Sequence, residues 1–240
     1  VLHDVPPEAI KRTKKLVNTD YCEVKLLHTT HTLHIKMHCF KGKDSSMVEI
    51  RDLHNNIVCI EKNGKVIQIQ QSESDARGKY YGVMTDRSVL NFGDILEFAQ
   101  QVNIDDVREL ISRQIKYNSA ISKEGMTGNY GVAIGPTILN CNCDSIFTKM
   151  KARTAAGSEA RMGGCILPVI TNSGSGNQGI TSSIPLVVYA EEEGVDDDTL
   201  YRALVLSNLM TIYQKAQIGR MSAFCAAVSS ATSIAAALTF

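Results

Sequence analysis

No surplus charge of either sign is present in the 240-residue chain: 25 lysines and arginines balance 25 aspartates and glutamates. That excludes a nucleic-acid footprint and a polybasic membrane-seeking surface, and it points to a small or neutral partner. The cysteines lack the two-residue gap of zinc and redox motifs. Seven of them stand at 22, 39, 59, 141, 143, 165 and 225, and the closest pair, Cys141-Asn-Cys143, has one residue between. Their odd number and wide spacing exclude a small disulfide scaffold, so reduced thiols in the cytosol are expected. A secretory signal is missing too, because Val1–Lys15 is mixed and charged. The one uncharged stretch of near-spanning length, Ser222–Phe240, is built of alanine, serine and threonine with few large aliphatics. Such a segment suits a tightly packed interior helix, not a lipid-facing one. The chain opens at Val1 without an initiator Met and ends at Phe240 inside an alanine-rich helical pattern with no stop signal. It therefore reads as a piece of a longer protein.

What is present divides near residue 90. Pro6 and Pro7 open a helix that should run to about Val17. Short β-branched or alternating runs follow at Tyr21–Leu27, Leu33–Phe40, Met47–Leu53, Ile57–Glu61 and Lys65–Gln70. Asn63-Gly64 between the last two is a two-residue hairpin signal. An antiparallel sheet with a helix on one face is the expected first part, 1–90. The polar stretch Ser72–Ser88 reads as a linker. Beyond it the period becomes helical: Asn91 before Phe92–Val102, Asn103 before Asp105–Ser122, then Cys143–Ala156, Gly179–Ala190, Thr199–Lys215 and a last helix from Met221. Asp196-Asp197-Asp198 complements the dipole of the helix it precedes. The expectation is an α+β fold: an antiparallel-sheet domain, then an all-helical domain at 91–240.

The chemistry concentrates in the glycine-rich loop Thr171–Ile180. Gly174, Gly176 and Gly179 bring backbone N–H groups together ahead of a helix expected to begin near Gly179. A nest of that kind binds carboxylate or phosphate, and Ser173, Ser175, Asn177 and Gln178 add neutral donors and acceptors. Glycine, serine and asparagine also dominate ordinary surface turns, but the apolar sequence on both sides favours a ligand loop. No Gly-Lys-Ser/Thr follows, and no G-x-G-x-x-G lies between a strand and a helix, so the nucleotide-binding fingerprints are excluded. Arg161, beside Gly163-Gly164, is either the counter-charge for a substrate carboxylate or half of an ion pair with Glu159 or another carboxylate. Cys225 by itself reads as a small packed hydrophobe. His28, His31, His34 and His38 cluster in sequence. Only His34 and His38 would share a strand face, so a solvent-facing or hairpin role is expected. His54 beside Asn55-Asn56 reads as turn chemistry.

The run GSEARMGG at 157–164, followed by LPVITNSGSGNQGITSSIPLVV at 167–188, resembles the iron–sulfur L-cysteine desulfidase and serine dehydratase-like family. The resemblance continues through LYRALVLSNLMTIYQKAQIGRMSAFCAA at 200–227 and, more weakly, ISKEGMTGNYGVAIG at 121–135. It implies a cytoplasmic lyase, typically of anaerobes, that converts L-cysteine to pyruvate, ammonia and sulfide, or dehydrates L-serine, without pyridoxal phosphate. It implies a 4Fe–4S cluster on three cysteines with one iron open as a Lewis acid. Cys225 matches the first of those ligands, and Asn172, Ser173, Gly174, Ser175, Gly176, Asn177 and Gln178 match the substrate loop, with Arg161 beside it. The family's Gly-Cys-Thr-Glu-Pro segment with its proposed base, and the other two cluster cysteines, are absent from this sequence. One thiolate cannot hold such a cluster, so the chain alone is expected to be inactive. The competing expectation is a non-catalytic amino-acid sensor, and a homo-oligomer is compatible with either.

Overall fold

The computed structural model describes residues 5–17, 19–52, 56–69, 86–141, 145–218, 225 and 227–240. Residues 72–85 of the expected linker Ser72–Ser88, the His54-Asn55 turn, Cys143 and the start of the last helix at Met221 lie outside the described residues. The fold is α+β. The chain forms two compact units, Pro6–Asp86 and Arg87–Phe240 together with the first five residues.

In the smaller unit, α1 (Pro7–Val17) starts after Pro6, where a missing N–H costs nothing, and none of its residues is buried. Four strands follow as an antiparallel meander in the order β1-β2-β3-β4: β1 (His34–Lys41), β2 (Asp44–Arg51), β3 (Ile57–Lys62) and β4 (Lys65–Ile69). The β3–β4 connection is the expected Asn-Gly hairpin. Asn63 and Gly64 take φ of 49° and 74°, the left-handed pair that matches the twist of the flanking strands. The Asn63 side chain also accepts from the Ser45 N–H at 2.7 Å and donates to Asp44 at 3.1 Å, locking this turn to the start of β2. Tyr21–Leu27 is not a strand. It pairs with no strand among the described residues, Val24 and Leu26 are 91% and 83% exposed, and alternation without burial gains nothing.

His28 and His38 are exposed, as expected, but His31 and His34 pair with carboxylates. His34 Nε2 lies 2.8 Å from Glu49 Oε1, and His31 Nδ1 lies 3.1 Å from both Asp52 carboxylate oxygens. Glu49 and Asp52 are buried. Burial alone would raise the Glu49 pKa. The hydrogen bonds from Arg51 and His34, with the Arg51 and Lys36 charges, outweigh it and hold the carboxyl below its ordinary value. A depressed carboxylate contributes stability above its unfolded pKa and loses it as pH falls through the folded one. Glu49→Gln should therefore destabilise the sheet at neutral pH by roughly 1–3 kcal/mol and flatten its acid unfolding below the usual glutamate range. Urea titrations at neutral and acid pH check this; an identical difference at both would contradict it.

The helical unit contains α2 (Phe92–Gln101), α3 (Ile104–Gly125), α4 (Ile134–Cys141), α5 (Ile146–Met162), α6 (Gly176–Thr181), α7 (Ile184–Glu193), α8 (Asp197–Ile218) and α9 (Ala227–Ala237). Its caps are the sequence's own. Asn91, Asn103, Ser145 and Ser175 each accept a first-turn N–H, and Asp196 accepts from Thr199 N at 3.0 Å. Gly179–Ala190 is two helices, not one. Pro185 sits in the first turn of α7, where its missing N–H is harmless, so the break falls at Ser182-Ser183. The helix α4 has no counterpart in the sequence reading.

Two apolar clusters form the core. One joins Ile95 and Ala99 of α2, Ile111 of α3, Leu186 of α7, Leu204 and Leu206 of α8 and Ile234 of α9. The other joins Ile121 of α3, Met150 and Ala160 of α5, Ile180 of α6 and Val188 of α7. Helix α3 runs through both, and between Ile111 and Ile121 it buries Gln114 and Asn118. A polar seam thus separates two greasy halves. The α3–α5 crossing is close because it is made of small residues. A Cβ on Gly125 would fall on the Ala156 carbonyl, and one on Gly157 would come within 3.2 Å of the Ser122 backbone.

Candidate functional site

The glycine-rich stretch is shorter as a loop than its composition implies. Asn172–Ser175 is a tight turn closed twice, by Asn172 N–H to the Ser175 carbonyl at 3.1 Å and Ser175 N–H to the Asn172 carbonyl at 3.0 Å. Ser173 and Gly174 carry it with φ of 48° and 87°. Left-handed backbone is unusual for serine and free for glycine, so the strain sits at Ser173. Helix α6 begins at Gly176, not Gly179, with Ser175 as its cap. Gly176, Asn177 and Gln178 therefore belong to its first turn.

The amides split into two sets. Those of Asn172, Ser175, Gln178 and Gly179 are used inside the turn and the cap. Those of Ser173, Gly174, Gly176 and Asn177 have no hydrogen-bond partner among the described residues. Beside them lies Arg161. Its Nη1 donates to Asn177 Oδ1 at 3.2 Å, and a Cβ on Gly176 would collide with its guanidinium, so the bare glycine lets the arginine lie against the turn. Arg161 has no carboxylate partner among the described residues. Glu159 is engaged elsewhere, accepting the Val132 and Ile134 N–H groups at 2.7 Å each and thereby capping α4. The ion-pair alternative for Arg161 and Glu159 is overturned.

The turn is pinned from behind by carboxamides, of which sequence reasoning singled out Asn172 and Gln178 but not Asn118, Asn208 or Gln114. Asn118, fully buried, accepts the Ile170 N–H at 2.9 Å and donates to the Gly179 carbonyl at 3.1 Å and Ser183 Oγ at 3.0 Å. It spans the turn's two ends in one residue. Asn172 Nδ2 donates to the Asn208 carbonyl at 3.2 Å and to Asn208 Oδ1 at 2.9 Å, while Asn172 Oδ1 accepts from Ser173 Oγ and Gln178 Nε2. Asn208 is held in turn by Gln114, with bonds of 2.7 and 3.1 Å in the two directions. Gln178 is fully buried, and its Oε1 has no partner among the described residues. Ser230 of α9 donates to the Gln178 carbonyl at 3.3 Å, bringing the last helix against α6. Gly179 is obligatory here because a Cβ would fall on the Ile170 carbonyl.

Cys225 does not lie inside the final helix. It is exposed, precedes α9, and its carbonyl accepts the Val228 N–H at 3.2 Å. Among the described residues no group of three or more His, Cys, Asp or Glu side chains is placed to hold a metal ion. Tyr130 donates to Glu124 Oε1 at 3.0 Å; the Cys165 thiol, then burial, then Glu124 push the phenol's pKa above its ordinary value. A cavity of about 240 Å³ opens between α2, α3 and α8 and reaches the turn at Asn172 and Ser173. No helix among the described residues is long and apolar enough to cross a membrane.

A pinned glycine turn thus stands on the helical bundle with unpartnered amides beside an arginine. Residues 4–240 match the serine dehydratase alpha chain family, and the chain belongs to it. It is 45% identical over 240 residues to a UPF0597 protein of Lachnoclostridium phytofermentans and 40% identical over 245 residues to one of Treponema denticola. It is 37% identical over 247 residues to the UPF0597 protein YhaM of Escherichia coli O127:H6. In each case all of this chain is covered and 56% of the relative, so the chain spans about half the length of these curated relatives. No solved structure matches.

Replacing Asn118 by Leu should strand the Ile170 N–H in the core and cost about 1–3 kcal/mol. Asn177→Ala, at the half-exposed rim, should change stability by no more than about 0.5 kcal/mol. Chemical denaturation of the two variants compares them directly, and equal losses would show that the seam does not hold the turn.

Proposed function

We propose that the chain is the central, substrate-holding part of a lyase that removes the β-substituent of L-serine or L-cysteine. The carrying observation is the set of free amides at Ser173, Gly174, Gly176 and Asn177 beside the Arg161 guanidinium, on a turn fixed before any ligand arrives. These groups suit an α-carboxylate: amides accept its charge diffusely, and an arginine adds a fixed fork. Family membership supplies the reaction class. The turn does not distinguish hydroxyl from thiol, since both substrates share the same carboxylate and amine.

A 4Fe–4S cluster, with Cys225 as one of three thiolates, belongs to this proposal for a protein of the relatives' full length. The described residues of this chain do not make up that ligand set. The resemblance also assigns the base to a segment outside the sequence. What these residues do is bind and orient: Arg161 and the turn hold the carboxylate, and Ser175 and Asn172 keep the turn closed. A cytoplasmic location and assembly into a homo-oligomer are part of the same proposal.

The second reading, an amino-acid sensor, is favoured by one fact. The turn and its carboxamide support are assembled from described residues of this chain alone. Calorimetry with L-serine and L-cysteine tests the shared part. The account expects binding that weakens about tenfold or more in Arg161→Met, the loss of one charge-assisted hydrogen bond. Anaerobic reconstitution of the full open reading frame separates the two readings: visible charge-transfer absorbance with pyruvate release supports the lyase. Amino-acid binding with neither supports the sensor, and no binding in either form removes both.

A further inference from the structure

Two strips of backbone in the smaller unit stand without partners among the described residues, and their side chains fit each other. The first is the free edge of the sheet. Strand β1 lies outermost in the order β1-β2-β3-β4, and its pairing with β2 runs unbroken from His34–Arg51 to Lys41–Asp44. The β2–β3 and β3–β4 pairings each shift register. Irregularity blunts an edge, whereas a long regular one is a template for a further strand. The Asp52 N–H donates to the Leu33 carbonyl at 2.7 Å, which makes Leu33–Asp52 a hydrogen-bonded pair. Alternation along the ladder then turns the N–H and C=O groups of Ile35, Met37 and Cys39 toward β2 and those of His34, Lys36, His38 and Phe40 outward. Met37 and Phe40 are 61% and 77% exposed.

The second strip is Tyr21–Leu27, YCEVKLL, which has the alternation of a strand and no strand to pair with. Tyr21, like Val24 and Leu26, is open to solvent. No backbone N–H from Cys22 to Leu27 has a hydrogen-bond partner among the described residues. Set antiparallel beside β1 with Cys22 opposite Cys39, the segment matches it residue by residue. Val24 meets Met37 and Leu26 meets Ile35 at the non-hydrogen-bonded positions, where facing side chains approach most closely. On the other face Tyr21 meets Phe40, Glu23 meets His38, and Lys25 and Leu27 fall opposite Lys36 and His34. Lys36 has Glu49 at 4.0 Å on β2, and Lys25 has Glu23 at 3.1 Å on its own segment, so the one like-charged pair is compensated on both sides. A slip of one residue would turn Val24 and Leu26 to the charged face, and a slip of two sets Cys22 against Lys41 or leaves Phe40 uncovered.

The segment does not lie on its own β1. The connection between them is tied down at the end of the sheet, where His31 and Leu33 both bond Asp52 and the Thr29 hydroxyl lies 3.1 Å from His34 Nδ1. We propose that Tyr21–Leu27 of one copy adds as a fifth strand to the β1 edge of a second copy, and the reverse, giving a dimer built by strand exchange. Reciprocal addition uses each segment and each edge once and closes on a two-fold axis. The interface holds or fails independently of the lyase and sensor readings.

Sedimentation velocity and thiol cross-linking of the intact 240-residue chain test it. The chain should sediment as a dimer that dissociates on dilution. Val24→Lys, at a side chain open to solvent in the single chain, should weaken the dimer at least tenfold while leaving the unfolding midpoint of the dilute monomer unchanged. A non-hydrogen-bonded pair brings its Cα atoms to about 4.5 Å, within the span of a disulfide. Diamide, which accepts the two thiol hydrogens, should therefore link Cys22 to Cys39 between chains, as read by peptide mapping of the dimer band on a non-reducing gel. Cys22→Ser and Cys39→Ser should each abolish that link alone, and mixing the two variants should restore it. A chain that stays monomeric up to about 1 mM overturns the proposal. So does a Cys22–Cys39 link confined to the monomer band, which would put the segment on its own β1, and so does a dimer that Val24→Lys leaves intact.

Discussion

The glycine turn of the helical unit depends on one buried carboxamide. Asn118 has no solvent exposure and reaches the residue before the glycine turn and the first helix after it. A buried polar group that is fully bonded specifies geometry, because any displacement of its partners leaves donors without acceptors in a dry interior. The chain uses that penalty as a clamp. Ile170 and Gly179 cannot separate without exposing a bare N–H, so the four residues between Thr171 and Gly176 close in one way.

From the clamp the rest follows. Closing Asn172–Ser175 on itself consumes some amides and leaves those of Ser173, Gly174, Gly176 and Asn177 for something else. Gly176 leaves room for the Arg161 guanidinium, and Glu159, which might have neutralised it, is spent capping α4. Positive potential is thus built without a buried charge: one exposed arginine and fixed dipoles. Such preorganised groups need no rearrangement when an anion arrives, which makes them useful for binding and for catalysis alike. The same seam, continued through Asn172 to Asn208 and Gln114, connects the turn to the cavity between α2, α3 and α8.

Local chemistry was readable in the sequence and distant pairing was not. Asn63-Gly64, the caps at Asn91 and Asn103 and the glycine turn all announce themselves, because each is a short-range rule acting within four residues. Gly179–Ala190 reads as one helix for an equally local reason: Pro185 starts a helix as readily as it interrupts one. Gln114 and Asn208 are 94 residues apart, and Asn118 and Ile170 52 apart; nothing in either neighbourhood marks them as partners. His34 and Glu49 meet only because β1 and β2 pair in one register, and the Glu49/Ile50 bulge that shapes that strand leaves no signature of its own. One signal could have been used. Gln114 and Asn118 interrupt the apolar face of α3 four residues apart, and a polar pair on a core-facing stripe asks for buried partners.

Amide-resolved hydrogen exchange on the ligand-free chain tests the clamp most directly. If Asn118 holds the turn, the amides of Ile170, Asn172 and Ser175 exchange as slowly as those of the surrounding helices while Ser173 and Gly174 exchange freely. Fast exchange at all five positions would mean that the turn is not fixed before ligand binding, and the account would be wrong.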